Sequence, residues 1–217
     1  MTDFALTSFE LKTGDIVTSN DIESELNRID PSLSKDLFME IGLAAHNALQ
    51  DKSQFYDKNS IGAAWQAEVT SFLRSQLVAR NWMLQDWVGG AYLTLSPCKT
   101  KCIIVATGCS SVGREQGFPT TTSRKGRKWE EAVSNLRLDL PDTVQFWVLL
   151  IHRTVYGLQM ELSLPENLID GQITGYVKRI ILQDVNFGII ANTEITRKHQ
   201  TPSEVQELIV ERKRKAV

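Results

Sequence analysis

The chain has 217 residues, of which 42% are hydrophobic and 23% are charged, and its formal net charge at pH 7 is −2. These values are ordinary for a globular protein and exclude global disorder, a collagen-like repeat and a coiled coil. A net charge near zero also excludes recognition of nucleic acid or of an anionic membrane by the overall field of the molecule. Any such recognition requires a local patch. The length is compatible with one hydrophobic core, so we expect a single α+β domain over residues 1–217.

The sequence predicts a cytoplasmic protein with no membrane partner. Its longest dense apolar run, residues 144–151, is far shorter than the roughly 20 residues that cross a bilayer as a helix. The first five residues lack the basic start and the apolar run of a secretory signal. The odd number of cysteines, Cys98, Cys102 and Cys109, predicts free thiols rather than a disulfide framework.

The first third of the chain is predicted to be mainly helical. Residues 4–18 contain a turn at Gly14–Asp15 and are compatible with a short hairpin or an extended arm. A helical portion of about 19–80 follows. Apolar residues at helical spacing, with Ser19 or Asn20 as the first cap, predict three helices in it, over 19–29, 34–50 and 61–80.

The remainder is predicted to form a central, mostly antiparallel sheet over about 83–190, packed against the helices. Short apolar runs predict a three-strand meander, and two β-branched runs joined at Arg153 predict a hairpin. A loop is expected at 165–171, and 173–182 is compatible with either a strand or a helix. The meander strands are 83–88, 91–95 and 102–106, the hairpin strands are 143–152 and 154–164, and further helices are expected at 128–136 and 203–215.

The glycine-rich residues after the third meander strand superficially resemble a phosphate-binding G-x-x-x-x-G-K-[ST] loop. Arg114 stands at the lysine position and Glu115 replaces the hydroxyl that binds magnesium. Pro119 follows where the loop should open a helix. This pattern favours a surface loop over 107–126 rather than a nucleotide site.

The cysteine and histidine spacings favour structural roles. Intervals of three and six residues between the cysteines match no common zinc knuckle, so we predict no metal site. Cys109 as a nucleophile would need a neighbouring base, and the sequence does not place His46 or His152 beside it. His199 lies in a polar segment.

The predicted order of a helix, three strands, a second helix and further strands resembles the core of the PD-(D/E)XK nuclease superfamily. That resemblance implies carboxylates that hold a divalent metal and activate water. The candidate catalytic residues are Glu68, Asp86 and Glu161. The strand at 102–106, where the second carboxylate and the lysine belong, contains neither. A metal-dependent, nuclease-like hydrolase with an atypical or inactive site is therefore the alternative function, and the divalent metal is expected only under it.

The strongest local signal is a concentration of positive charge around Gly126. Threonine and serine residues at 120–123 add hydroxyl groups that can donate to phosphate oxygens. A basic loop of this kind can bind a phosphodiester backbone or the acidic face of a protein. We therefore expect a non-catalytic or accessory protein, without a cofactor, that binds a larger anionic partner, nucleic acid or protein. The predicted anion-binding residues are Arg114, Arg124, Lys125, Arg127 and Lys128.

Overall fold

A computed structural model describes residues 12–50, 57, 60–87, 91–126, 129–130, 144–182 and 184–187. Within them the elements are β1 (Asp15–Val17), a 3-10 turn (Ser19–Asp21), α1 (Ile22–Ile29), α2 (Lys35–Gln50), α3 (Ile61–Val78), β2 (Met83–Trp87), β3 (Ala91–Leu95), β4 (Lys101–Thr107), β5 (Gln145–Arg153), β6 (Gly157–Ile169), β7 (Gln172–Ile181) and β8 (Val185–Asn186). The predicted helix at 203–215, and that at 128–136 apart from residues 129–130, lie outside the described residues.

The described strands form one mixed sheet in the order β1-β7-β6-β5-β4-β3-β2, with β8 paired to β6. The β1–β7 and β4–β5 pairs are parallel and the others are antiparallel. The α+β class is thus confirmed. The expectation of a helical first third needs correction, because β1 lies in it and pairs with β7 through Asp15 and Lys178. Three residues are too few for a periodic signal, and this pairing depends on a partner far along the chain.

The three helices, the meander and the hairpin of β5 with β6 are confirmed. The predicted loop at 165–171 is wrong, because β6 continues to Ile169 and only Asp170 and Gly171 form the turn. Pro165 is the residue that made a loop the expected structure here. It lies in the strand at a series of register shifts, where a residue without a backbone N–H is tolerated. Residues 173–182, which were compatible with two structures, belong to β7 up to Ile181.

The start of the first helix also differs from the prediction. Ser19 to Asp21 form a 3-10 turn with no side-chain cap hydrogen bond, and α1 begins only at Ile22. Ser19 has a φ of 53°, a left-handed conformation that a cap residue in the extended region does not adopt. Neither Ser19 nor Asn20 therefore caps the helix.

The two faces of the sheet have different cover. Ile103 and Val105 of β4 face a core built with α1, α2 and α3. Cys102 and Ile104 face the opposite core, which contains Val112, Phe118 and Trp129 from the segment after β4. The parallel pair β4 and β5 requires a crossover connection, and Val112, Phe118 and Trp129 of its described part pack on the second face. Residues 108–126 are called the connecting segment below.

A buried ion pair fastens the first half of the connecting segment to the sheet. Arg179 of β7 and Glu161 of β6 are both fully buried, and Arg179 Nη2 lies 2.8 Å from Glu161 Oε2. The guanidinium also donates to the carbonyl oxygens of Arg114 and Gly117, at 2.9 and 3.2 Å. Gly113 N donates to the Glu161 carboxylate at 2.9 Å. Both charges are thus fully engaged by the fold.

Candidate functional site

Three adjoining depressions run along α3 and share Gln66. Their volumes are about 820, 540 and 270 Å³. One lies between α3, from Ala63 to Val78, and strands β2 and β3, one lies at the first turn of α3, and the smallest adjoins both. We call the whole feature the α3 groove; it is lined by residues 61–63, 65–67, 70, 71, 74, 75 and 78 of α3, by residues 84 and 92, by residues 104, 105, 107, 108, 122–126 and 129, and by residues 151–153 and 158.

The groove exists because β3 and β4 separate. These strands pair only through Thr94 with Ile103 and Leu95 with Cys102. Beyond Ile103 the described contacts of the β4 backbone on that side are not with β3: the amide of Gln66 donates to Val105 O at 3.1 Å, and Thr122 N donates to Thr107 O at 3.0 Å. A buried carbonyl needs such a partner, so Gln66 stabilises the open edge that forms the floor of the groove.

Basic side chains are distributed along the groove. Arg124 and Lys125 lie at the small central depression, Arg153 lies at the first turn of α3, and Arg74 lies at the other end. Within the described part of the chain, none of the residues that line the groove is acidic. Arg124 and Arg153 are exposed, and neither has an ion-pair partner among the described residues. The surface is therefore locally cationic in a protein of net charge −2.

Lys125 is held more firmly than its neighbour Arg124. Its ammonium group lies 5.2 Å from the ring centroid of Trp129 and donates to Ser123 Oγ at 3.3 Å. Burial lowers the pKa of Lys125. Its backbone N donates to Gly171 O at 2.7 Å, which ties this half of the connecting segment to the β6–β7 turn. The backbone thus fixes this wall of the groove, and the half-buried ammonium group of Lys125 packs over Trp129.

The far end of the groove has an aromatic side chain. Tyr92 is 50% exposed, and the guanidinium of Arg74 lies 5.5 Å from its ring centroid. Arg74 also donates to Asp86 at 2.6 Å, so its charge is partly neutralised. An exposed ring beside a cation can stack against a planar ligand.

The predicted anion-binding residues do not all lie together. Arg124 and Lys125 line the α3 groove, whereas Arg114 lines a separate depression with Lys35 and Glu115. Arg127 and Lys128 lie outside the described residues. The groove residues that the sequence did not indicate are Arg153, which was recognised only as a hairpin residue, together with Gln66, Arg74 and Tyr92. These residues come together because β3 separates from β4, and no pattern in the sequence predicts that separation.

The three candidate catalytic carboxylates do not converge. Glu161 on β6 and Asp86 on β2 are separated by three intervening strands, or about 19 Å at the usual spacing between strands. The Glu161 carboxylate forms an ion pair with Arg179, and the Asp86 carboxylate forms one with Arg74. Glu68 lies on α3 and interacts with another residue. Among the described residues, no group of three or more histidine, cysteine or acidic side chains could hold a metal ion.

The cysteines are free thiols in different surroundings. Hydrogen bonds from Ser96 and Thr100 lower the pKa of the exposed Cys98 to about 7. Burial raises the pKa of Cys102 to about 12. Burial alone would raise the pKa of Cys109, but hydrogen bonds with Thr120 and Ser111 together outweigh it and the pKa is lowered.

The structure describes the surroundings of His46 and His152. His46 stacks on Phe187 at 3.8 Å between ring centroids, and burial, followed by the nearby charge of Arg153, lowers its pKa. His152 lines the α3 groove. His199 lies outside the described residues.

Within the described residues, no helix combines the length and the apolar character that are needed to cross a membrane. Comparison of the chain with protein-family models, with curated proteins and with solved structures finds no match.

Proposed function

We propose that this chain is a cytoplasmic accessory protein that binds nucleic acid, as a single strand, along the α3 groove. The observation that supports the proposal is the row of basic side chains on a concave surface whose described lining contains no carboxylate. Arg124 and Arg153 are available because the fold supplies neither with an ion-pair partner among the described residues. Phosphate groups of a nucleic-acid backbone are ligands for such side chains.

The groove also offers an uncharged donor beside the cations. The Ser123 hydroxyl lines it and accepts from the Lys125 ammonium group, so its own hydrogen remains for a phosphate oxygen, whereas the Thr70 hydroxyl already donates to Gln66 O at 2.6 Å. Arginine and lysine with serine and threonine hydroxyls are the side chains that contact phosphate oxygens in protein–nucleic acid complexes. A flexible strand that follows the groove can place successive phosphates against these donors.

Tyr92 favours a single strand over a duplex. Its ring is half exposed at the end of the groove, and an aromatic face beside a basic groove is typical of proteins that bind single strands by base stacking. In a duplex the faces of the bases are covered by their neighbours. An acidic protein surface would use the cations but would gain little from this ring.

Fluorescence anisotropy with labelled single-stranded and duplex oligonucleotides tests the proposal. We expect single strands to bind more tightly than duplexes of the same length. Replacement of Arg124 by Gln should weaken single-strand binding about three- to tenfold, the usual scale for one charged contact. Tyr92→Ala should weaken it about 5- to 150-fold, the scale of one stacked base.

Arg114→Gln is the matched control, because Arg114 is an exposed arginine of the same connecting segment that lies on another depression. Only its backbone carbonyl contributes to the buried network, and the substitution keeps that carbonyl. It should bind like the unchanged protein. Absence of binding to every oligonucleotide, or an equal loss in Arg114→Gln and Arg124→Gln, contradicts the proposal. Binding to an acidic protein alone would contradict it in favour of a protein partner.

A further inference from the structure

One end of the α3 groove is a depression of about 540 Å³ at the carboxyl ends of the parallel strands β4 and β5. Thr107 ends β4, and His152 and Arg153 end β5. Ligands of sheets with parallel strands commonly bind at this edge, where the strands stop and the chain turns away. We call this depression the end pocket; its lining includes Gly62, Trp65, Thr107, Thr122, His152 and Arg153.

The first turn of α3 forms one side of the end pocket. This helix has 18 residues and no acidic residue in its first turn, although the Asp57 carboxylate accepts from the backbone N of Ser60 at 2.9 Å and offsets part of the positive end. A Cβ atom added at Gly62 would meet nothing within 4 Å. The backbone of the helix start is therefore open to close approach by an anion. Asp57 precedes the helix and accepts from Ser60, but it does not line the end pocket.

A buried donor without an acceptor provides a second, independent indication. Trp65 is only 3% exposed and lines the end pocket. Its indole Nε1–H has no hydrogen-bond partner in the described part of the chain. An unsatisfied buried donor is costly, and a ligand rich in acceptor oxygens removes that cost.

Arg153 supplies further donors to the same space. Arg153 has no ion-pair partner among the described residues, and its guanidinium lies 5.8 Å from the ring centroid of Trp65. The hydroxyl oxygens of Thr107 and Thr122 lie 2.7 Å apart. Thr122 Oγ1 also donates to Thr107 O at 3.4 Å, so both hydroxyl hydrogens of this pair have acceptors within the fold.

His152 has a defined tautomer in this pocket. Its Nδ1 lies 3.1 Å from Gly108 O, and because a carbonyl oxygen only accepts, Nδ1 bears the hydrogen. Nε2 is then the ring nitrogen that is left for a ligand.

We propose that the end pocket recognises a phosphate monoester, supplied either by the terminal phosphate of a strand in the α3 groove or by a free mononucleotide. The inference rests on the proposed function, because the end pocket is one end of the same groove. A monoester has a charge of about −1.5 to −2 and three acceptor oxygens, whereas a backbone diester has one charge and two such oxygens. The planar fork of Arg153, the helix start and the indole N–H match the monoester.

The test compares two single strands of one sequence, one with a 5′-phosphate and one with a 5′-hydroxyl group, by anisotropy. Calorimetric titrations with inorganic phosphate and with a nucleoside 5′-monophosphate form the second arm. We expect the 5′-phosphate to tighten binding at least about tenfold, the scale of one charged, bidentate contact. Both small ligands should bind in the millimolar range or tighter.

Arg153→Gln should abolish the preference for the phosphorylated strand and should weaken binding of inorganic phosphate. Arg153→Lys should restore part of the preference, because it keeps the charge and loses the planar fork. Arg124→Gln should weaken both strands equally and leave the preference intact. Arg153 is exposed, so its replacement leaves the core unchanged.

The outcomes separate the two proposals. If both strands bind equally and neither small ligand binds, the proposal for the end pocket is wrong and the proposal for the α3 groove is unaffected. If the small ligands bind in an Arg153-dependent manner and no strand binds, the end pocket is supported with a free nucleotide as its ligand, and the proposed function falls. A preference that survives in Arg153→Gln overturns the assignment of this pocket.

Discussion

The two halves of the connecting segment use positive charge in opposite ways. Over 109–119 the segment is fastened to the sheet by Arg179, a cation that donates to its carbonyl oxygens and is itself buried against Glu161. Over 122–126 it presents the exposed Arg124 to the α3 groove, beside the half-buried Lys125. A buried, paired charge organises structure, and an exposed, unpaired charge remains available to a ligand. The number of cations in a loop therefore says less about binding than their partners do.

The largest effect is expected when the ion pair that fastens residues 109–119 to the sheet is removed. Glu161→Ala leaves the Arg179 guanidinium buried without its carboxylate, and we expect the free energy of unfolding to fall by about 3–5 kcal/mol. Urea denaturation followed by circular dichroism measures this loss. Glu115→Ala, an exposed carboxylate of the same segment, should change stability by less than about 0.5 kcal/mol. A loss below about 1 kcal/mol in Glu161→Ala contradicts the role given to the ion pair.

An intermediate effect is expected where the groove wall meets the β6–β7 turn. Gly171 has a φ of 74°, and a Cβ atom there would lie 2.3 Å from Lys125 O. Gly171→Ala should therefore reduce stability by about 1–3 kcal/mol and should weaken oligonucleotide binding by displacing the wall. Thermal unfolding and anisotropy measure the two effects.

Gly126→Ala is the control for this prediction, since a Cβ atom at Gly126 meets nothing within 4 Å. It should leave stability nearly unchanged. Unaltered stability and binding in Gly171→Ala would show that the contact between the turn and the wall does not position Arg124 and Lys125.

The smallest effect concerns Cys98, which lies in the β3–β4 turn, at the opposite end of β4 from the end pocket. Because its pKa is lowered to about 7, its alkylation rate should rise with pH to a plateau above a midpoint near 7. Thr100→Val removes one hydrogen bond to the sulfur, at 2.8 Å, and should raise the midpoint by up to about one unit. A midpoint that stays at 7 in this variant contradicts the stated cause.

In a Cys109→Ser variant, which removes the other thiol of lowered pKa, a dye on Cys98 then reports on binding without touching either half of the connecting segment. Cys102 should remain unmodified in the folded protein, because it is fully buried and burial raises its pKa to about 12. Labelling should leave oligonucleotide affinity unchanged. A loss of affinity on labelling would place Cys98 near the ligand, contrary to its position in the fold.

The sequence predicted the elements with strong local patterns and missed those set by distant partners. The stripe that includes Trp65 and Val69 identified α3, and the β-branched runs around Arg153 identified the β5–β6 hairpin. The parallel pairing of β1 depends on β7, far along the chain, and the passage of β6 through Pro165 depends on register shifts in its pairing with β7. Local propensity does not encode such pairings.

The candidate site divides in the same way. The excess of positive charge at Arg124 and Lys125 is visible in the sequence because these residues are adjacent. Their association with Arg153 and Gln66 requires the separation of β3 from β4, a tertiary feature. The ion pair between Glu161 and Arg179, 18 positions away, likewise removes a candidate metal ligand, and no sequence motif predicts this pair.

The most direct test of the central claim is the salt dependence of single-strand binding. A plot of log K against log salt concentration has a slope of about −0.7 for each phosphate that is neutralised on a single strand. We predict that Arg124→Gln makes this slope shallower by about 0.7, and that Arg114→Gln leaves it unchanged. A slope near zero in the unchanged protein, or equal slopes in the unchanged protein and Arg124→Gln, would contradict the claim that the unpaired cations of the α3 groove contact phosphates.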